Sequence, residues 1–160
     1  MAIWQYTFLV LPKDGVQVLS TSTNNGLGKT IDGFEDDRYW KYSTIKRDLF
    51  NAVGHILPKS KSWSNEIDLY GNQDSNCFEV FFDKEDTIQS VSFRIDFKDN
   101  YRSILQGILE FCRHNGLIVL DESLSIVPLN YEYTHRIILT SPQRKKYNQM
   151  SENDQDGRDI

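Results

Sequence analysis

Apolar and polar residues alternate most clearly between Cys77 and Phe97. Phe78, Val80 and Phe82 take turns with Cys77, Glu79 and Phe81, the period-two pattern of a half-buried strand. A second run places Val91, Phe93, Ile95 and Phe97 on one face and Ser90, Ser92, Arg94 and Asp96 on the other. Asp83-Lys84-Glu85-Asp86 joins the two runs into a hairpin. Ile88 is out of phase with Val91, which predicts a bulge near Gln89 and Ser90. From Tyr101 the period lengthens. Tyr101, Ile104, Leu105, Ile108, Leu109 and Cys112 form the stripe of an amphipathic helix, with Asp99 or Asn100 placed to cap its start. Gly116 stands where a left-handed C-terminal cap is wanted. The stripe is expected to cover the Phe93 face.

Elsewhere the pattern is weaker. Ile3 to Leu11 is apolar on both sides, as a central strand would be, and Pro12-Lys13-Asp14-Gly15 reads as a turn returning Val16 to Leu19 as a second hairpin strand. Ser20 to Gly33 is polar and glycine-rich, a loop. Ser43 to Leu57 has helical spacing at Ile45, Leu49, Ala52, Val53, Ile56 and Leu57, ended by Pro58. Gly54 within it predicts close packing. Ile67 to Tyr70 and Leu117 to Leu120 are short strands, the latter continued by Leu124 to Val127 after a break. Over 130 to 140, Asn130 as N-cap and Tyr133 with Ile137 favour a short helix, while Arg136 to Thr140 would also serve as a strand. These elements predict an α+β fold: an antiparallel sheet of about five to six strands with two main helices packed on one face. A ferredoxin-like βαββαβ core with an extra hairpin is one arrangement of them.

A length of 160 residues suits one domain burying roughly 70% of its unfolded surface; residues 1–147 are expected to form it and 148–160 to be a disordered acidic tail. No apolar run approaches the ~20 residues of a membrane span, and the start alternates like a strand and lacks the features of a signal peptide. Two cysteines without metal-type spacing suit a reducing cytoplasm. The formal charge of −5 argues against a phosphate-binding surface for nucleic acid.

The candidate chemistry is sparse. Gly26-Leu27-Gly28-Lys29-Thr30 ends like a phosphate loop, but the glycine that motif needs is replaced by Thr23. His55, His114 and His135 lie on separate elements, so neither a metal nor a cofactor is expected. Arg94 and Asp96 share a strand face with Glu79. That trio is a candidate ligand-binding or acid-base site, or a cross-strand ion pair. Glu35, Asp36, Asp37, Tyr39 and Trp40 combine carboxylates with large aromatics, the composition of an interface that attracts a basic partner and anchors on it; core capping by the aromatics is the alternative.

The strand-like N-terminus and the Phe93-Arg94-Ile95-Asp96-Phe97 strand running into an Asn100-Tyr101-Arg102 helix give the chain a general resemblance to stand-alone bacterial immunity proteins of polymorphic-toxin systems. That resemblance implies stoichiometric occlusion of a toxin's active site by an acidic patch. The expectation is therefore a non-catalytic protein-binding protein, whose partner is another protein such as a toxin. The alternatives are a small-molecule binder or enzyme using Glu79, Arg94 and Asp96, or a subunit of a homo-oligomer such as a homodimer.

Overall fold

The computed structural model describes residues 3–22 and 34–156. The Gly26 to Thr30 motif lies outside the described residues, as do the last four of the expected tail. The strands are β1 (Gln5–Pro12), β2 (Lys59–Ser60), β3 (Ile67–Gly71), β4 (Cys77–Phe82), β5 (Ile88–Asp96), β6 (Leu117–Leu120) and β7 (Ile126–Val127). The helices are α1 (Lys13–Ser22), α2 (Asp37–Lys41), α3 (Arg102–His114), α4 (Tyr131–Leu139) and α5 (Pro142–Asp156), with a 3-10 helix at Arg47–His55.

All seven strands among the described residues join one antiparallel sheet in the order β2-β3-β4-β5-β1-β6-β7. The class is the expected α+β. Within the sheet, β6-β1-β5-β4 is the order that a βαββαβ chain produces, with β2 and β3 added at one edge and β7 at the other. The strand count exceeds the five to six expected because β2, only two residues long, carries no alternation to read, and Ile126–Val127, expected to continue Leu117–Leu120, instead turns back as a separate antiparallel strand.

Register puts the aromatic residues in a row. Phe8 pairs with Phe93 and Phe93 with Phe78, and their rings stack at 5.0 and 6.1 Å between centroids. Such offset aromatic contacts add to the area they bury. Phe50 of the 3-10 helix and Phe111 of α3 pack onto Phe78, and the stripe residues Leu105, Ile108, Leu109 and Cys112 share one core with Phe93, so α3 does cover the Phe93 face. The predicted bulge falls at Gln89: Phe81 pairs with Ser90 but Phe82 with Ile88. Gly116 takes a φ of +64°, and Asn130 Oδ1 accepts from the Tyr133 amide as the cap of α4. Residues 131–139 are therefore helical.

Three expectations are corrected. Val16 to Leu19 is not a hairpin strand but part of α1, which lays Val16 against Leu9 and Leu11 on the opposite sheet face. Helices thus cover both faces of β1. Gly15 permits this docking, since a Cβ there would come within 2.0 Å of the Tyr39 carbonyl oxygen. Second, the helix expected over Ser43 to Leu57 is confined to Arg47–His55 and is of the 3-10 type, where residues three apart eclipse. That period aligns Arg47, Phe50 and Val53, and Phe50 and Val53 are both buried in the larger core. A Cβ at Gly54 would meet only the Tyr70 ring, at 3.9 Å; the tight approach is at Gly107, where a Cβ would lie 3.2 Å from Ile56. Third, the polar chain after Pro142 is helical through Asp156, docked by Tyr147 against Phe97 and by Arg144 Nη1 donating to the Phe97 carbonyl at 2.8 Å.

Candidate functional site

Alternation in β4 and β5 places Glu79, Arg94 and Asp96 on the face opposite the aromatic row. Glu79 is only 2% exposed, and its Oε1 accepts from Arg94 Nη2. The β3–β4 connection folds back over this pair. Gln73 Nε2 donates to Glu79 Oε2 at 3.3 Å, and Gln5 Nε2 holds the connection by donating to the carbonyls of Gln73 and Ser75 at 2.8 and 2.6 Å. Asp96 is buried and accepts from the Lys98 amide, while its own amide donates to Asn76 Oδ1 at 2.8 Å. Burial of a charge requires that it pair and that its remaining lone pairs be satisfied; Arg94 and Gln73 meet that requirement for Glu79, whereas Asp96 takes a backbone amide and no cation among the described residues. Cys77 Sγ lies 3.8 Å from Glu79 Oε1. Burial pushes its thiol up to about 11, so at neutral pH it is a protonated, inert group.

The acidic-aromatic segment divides between surface and core. Glu35 and Asp37 are exposed. Asp36 is partly buried and accepts from Ser90 Oγ; its carboxyl is raised above the ordinary range by burial, which outweighs the opposing Ser90 hydrogen bond. Tyr39 stacks on Phe34 at 5.5 Å over the smaller core. Trp40 is 3% exposed and meets Phe50 edge-on in the larger core. As an anchor for a partner Trp40 is therefore withdrawn. Helix α2 crosses the end of the sheet against β5 and β1 and sends successive aromatics into the two layers, so both are used in packing.

A second charged cluster joins residues that the sequence keeps apart. Arg47 donates to Asp68 through Nε at 2.6 Å and Nη2 at 2.9 Å, and to Asp86 through Nη1 at 2.9 Å. Its guanidinium lies 3.5 Å from the centroid of the Phe82 ring, and Lys59 Nζ approaches Asp68 Oδ1 at 3.4 Å. Asp68 alternates onto the helix-covered face of β3, opposite Val80, where its side chain is 8% exposed and that of Arg47 33%. Bidentate donation by Arg47 is the main cause of the lowered Asp68 pKa. Asp68 inside Ile67-Asp68-Leu69-Tyr70 was the available signal: a carboxylate at a buried strand position needs a cation, but nothing local names it.

Among the described residues no group of three or more His, Cys, Asp or Glu side chains is placed to hold a metal ion. Glu110 is shared by Arg113 at 2.6 Å and His114 at 3.1 Å on the exposed side of α3. No helix among them is long and apolar enough to cross a membrane. Large exposed side chains include Trp63, 75% exposed between β2 and β3, and Tyr42, 50% exposed after α2. No protein-family model matches the chain, and no curated protein or solved structure matches it significantly.

Proposed function

We propose that the protein works by binding another protein, without catalysis, through the end of the sheet where β3 and β5 begin and β4 ends. The single observation that carries this reading is Trp63. An indole left three-quarters in solvent forgoes about 3 kcal/mol of transfer free energy that a partner would recover, and Trp and Tyr dominate binding hot spots. Antiparallel pairing of Ile67 with Phe81 sets the β2–β3 connection at the same end as the Asp83 to Thr87 turn, and α2 crosses that end. Exposed Glu35, Asp37 and Glu85 therefore accompany Trp63 and Tyr42, and the net charge of −5 favours encounter with a basic partner. The immunity-protein resemblance sharpens the reading to neutralisation of a toxin by occlusion.

The test is affinity capture from the source organism with the wild-type chain and with Trp63→Ala and Asp37→Lys variants. A partner that binds at one-to-one stoichiometry, loses about tenfold or more in affinity with Trp63→Ala, and loses its own toxic activity when the chain is added supports the proposal. A partner indifferent to both changes, or one whose activity the chain leaves intact, overturns it.

A further inference from the structure

The Arg47–Asp68 pair belongs to a cleft of about 570 Å³ between the segment joining α2 to the 3-10 helix and the β4–β5 turn. That volume is in the range of small-molecule sites. Ile45 gives the cleft its apolar part, with Trp40 and Ile88 largely buried behind it. Lys41 and Lys46, with Asp48 beside them, line the cleft from one segment, and Glu85 and Asp86 from the other; Lys59 and Asp68 complete its charged lining. The Arg47–Asp86 contact at 2.9 Å bridges the two segments. Lys41, Lys46 and Glu85 are exposed, and none enters an ion pair among the described residues. A guanidinium has five N–H groups; carboxylates take one at each nitrogen of Arg47, so each terminal nitrogen keeps one more to offer. Trp40, part of the lining, has a buried Nε1–H without an acceptor, as do the buried Tyr70 hydroxyl and Arg144 Nε elsewhere, so its indole N–H serves as a reporter beneath the cleft.

We propose that this cleft binds a zwitterionic small molecule of amino-acid or dipeptide size with an apolar side chain. The carboxylate meets Lys41, Lys46 and the spare Arg47 N–H groups, the ammonium meets Glu85 and Asp86, and the side chain lies on Ile45, the partly exposed apolar residue of the lining. The lining carries cations and carboxylates in equal number, Lys41, Lys46, Arg47 and Lys59 against Asp48, Asp68, Glu85 and Asp86, which favours a ligand of both charges over a simple anion or cation that leaves one set unpaired. The proposal goes beyond protein binding and does not depend on it.

The experiment titrates the full chain with L-phenylalanine, N-acetyl-L-phenylalanine and L-phenylalaninamide, followed by the Trp40 indole N–H resonance and the backbone amides around 41–51 and 85–88. The expected result is saturable binding of L-phenylalanine, with both analogues weaker by about tenfold or more. Lys46→Gln and Glu85→Gln, at exposed positions that leave the fold intact, are each expected to weaken binding by a similar factor. No saturable shift up to about 10 mM, equal binding of all three probes, preference for a singly charged one, or variants that bind like wild type would each overturn the proposal.

Discussion

Arg47→Met isolates the energetic role of the pair at Asp68. The replacement keeps an unbranched stem over Phe82 but removes the guanidinium, which leaves a carboxylate that is 8% exposed without its bidentate donor. Breaking a fully buried pair costs about 3–5 kcal/mol, and an exposed one under about 1 kcal/mol. Arg47 is 33% exposed, and Lys59 stays 3.4 Å from Asp68, so the expected loss lies between these, about 2 kcal/mol. The pH dependence has a definite sign. Asp68 is held below its ordinary pKa in the folded state, so its contribution is fully present above the unfolded carboxylate value and is lost as the pH falls through the folded one. Urea denaturation should therefore show the gap between wild type and Arg47→Met narrowing as the pH is lowered from about 7 toward 3. Asp68→Asn placed in the Arg47→Met background removes the stranded charge and should restore about 1 kcal/mol. A loss below about 0.5 kcal/mol, a gap that does not change with pH, or strict additivity of the two substitutions would refute the pairing as a stabilising element.

Gly15→Ala should cost about 2 kcal/mol or more in thermal denaturation, because the added methyl would meet the Tyr39 carbonyl at 2.0 Å and a backbone atom yields less readily than a side chain; a neutral result would remove the docking of α1 on α2. Asp36→Asn tests the opposite titration to Asp68. Burial raises the Asp36 pKa, so its stabilising protonated form is lost as the pH rises through the folded value, and the variant should gain on wild type by up to about 1 kcal/mol between pH of about 3 and 7. The gain is limited by the weaker bond Ser90 makes to a neutral amide, and a loss growing with pH would contradict it.

What the chain discloses in advance follows its local periodicities. β4, β5 and α3 are legible because a period of two or of 3.6 survives over a whole element, and the bulge at Gln89 shows as a break in phase. The cap at Asn130 and the turn at Gly116 are legible from single residues. Val16-Gln17-Val18-Leu19 misleads because branched residues favour strands only weakly and yield to packing, here the contact of Val16 with Leu9 and Leu11. Phe111 is buried yet lies outside the stripe read for α3, since the rings of Phe50 and Phe78 widen the covered arc in a way only assembly reveals. At the candidate sites, alternation places Glu79 and Arg94 together, whereas Arg47 and Asp68 meet only because a 3-10 turn and a strand edge converge. Trp40 and Trp63 look alike as letters; one is interior and the other three-quarters exposed.

The brevity of the two outermost strands narrows how anything can attach. A rim with two bonded residues at Lys59–Ser60 and two at Ile126–Val127 gives an incoming chain too little ladder to extend, the same economy that keeps sheet proteins from polymerising edge to edge. Whatever docks must grip projecting side chains such as Trp63, so fidelity would reside in a few replaceable positions and drift quickly while the scaffold beneath stays unaltered.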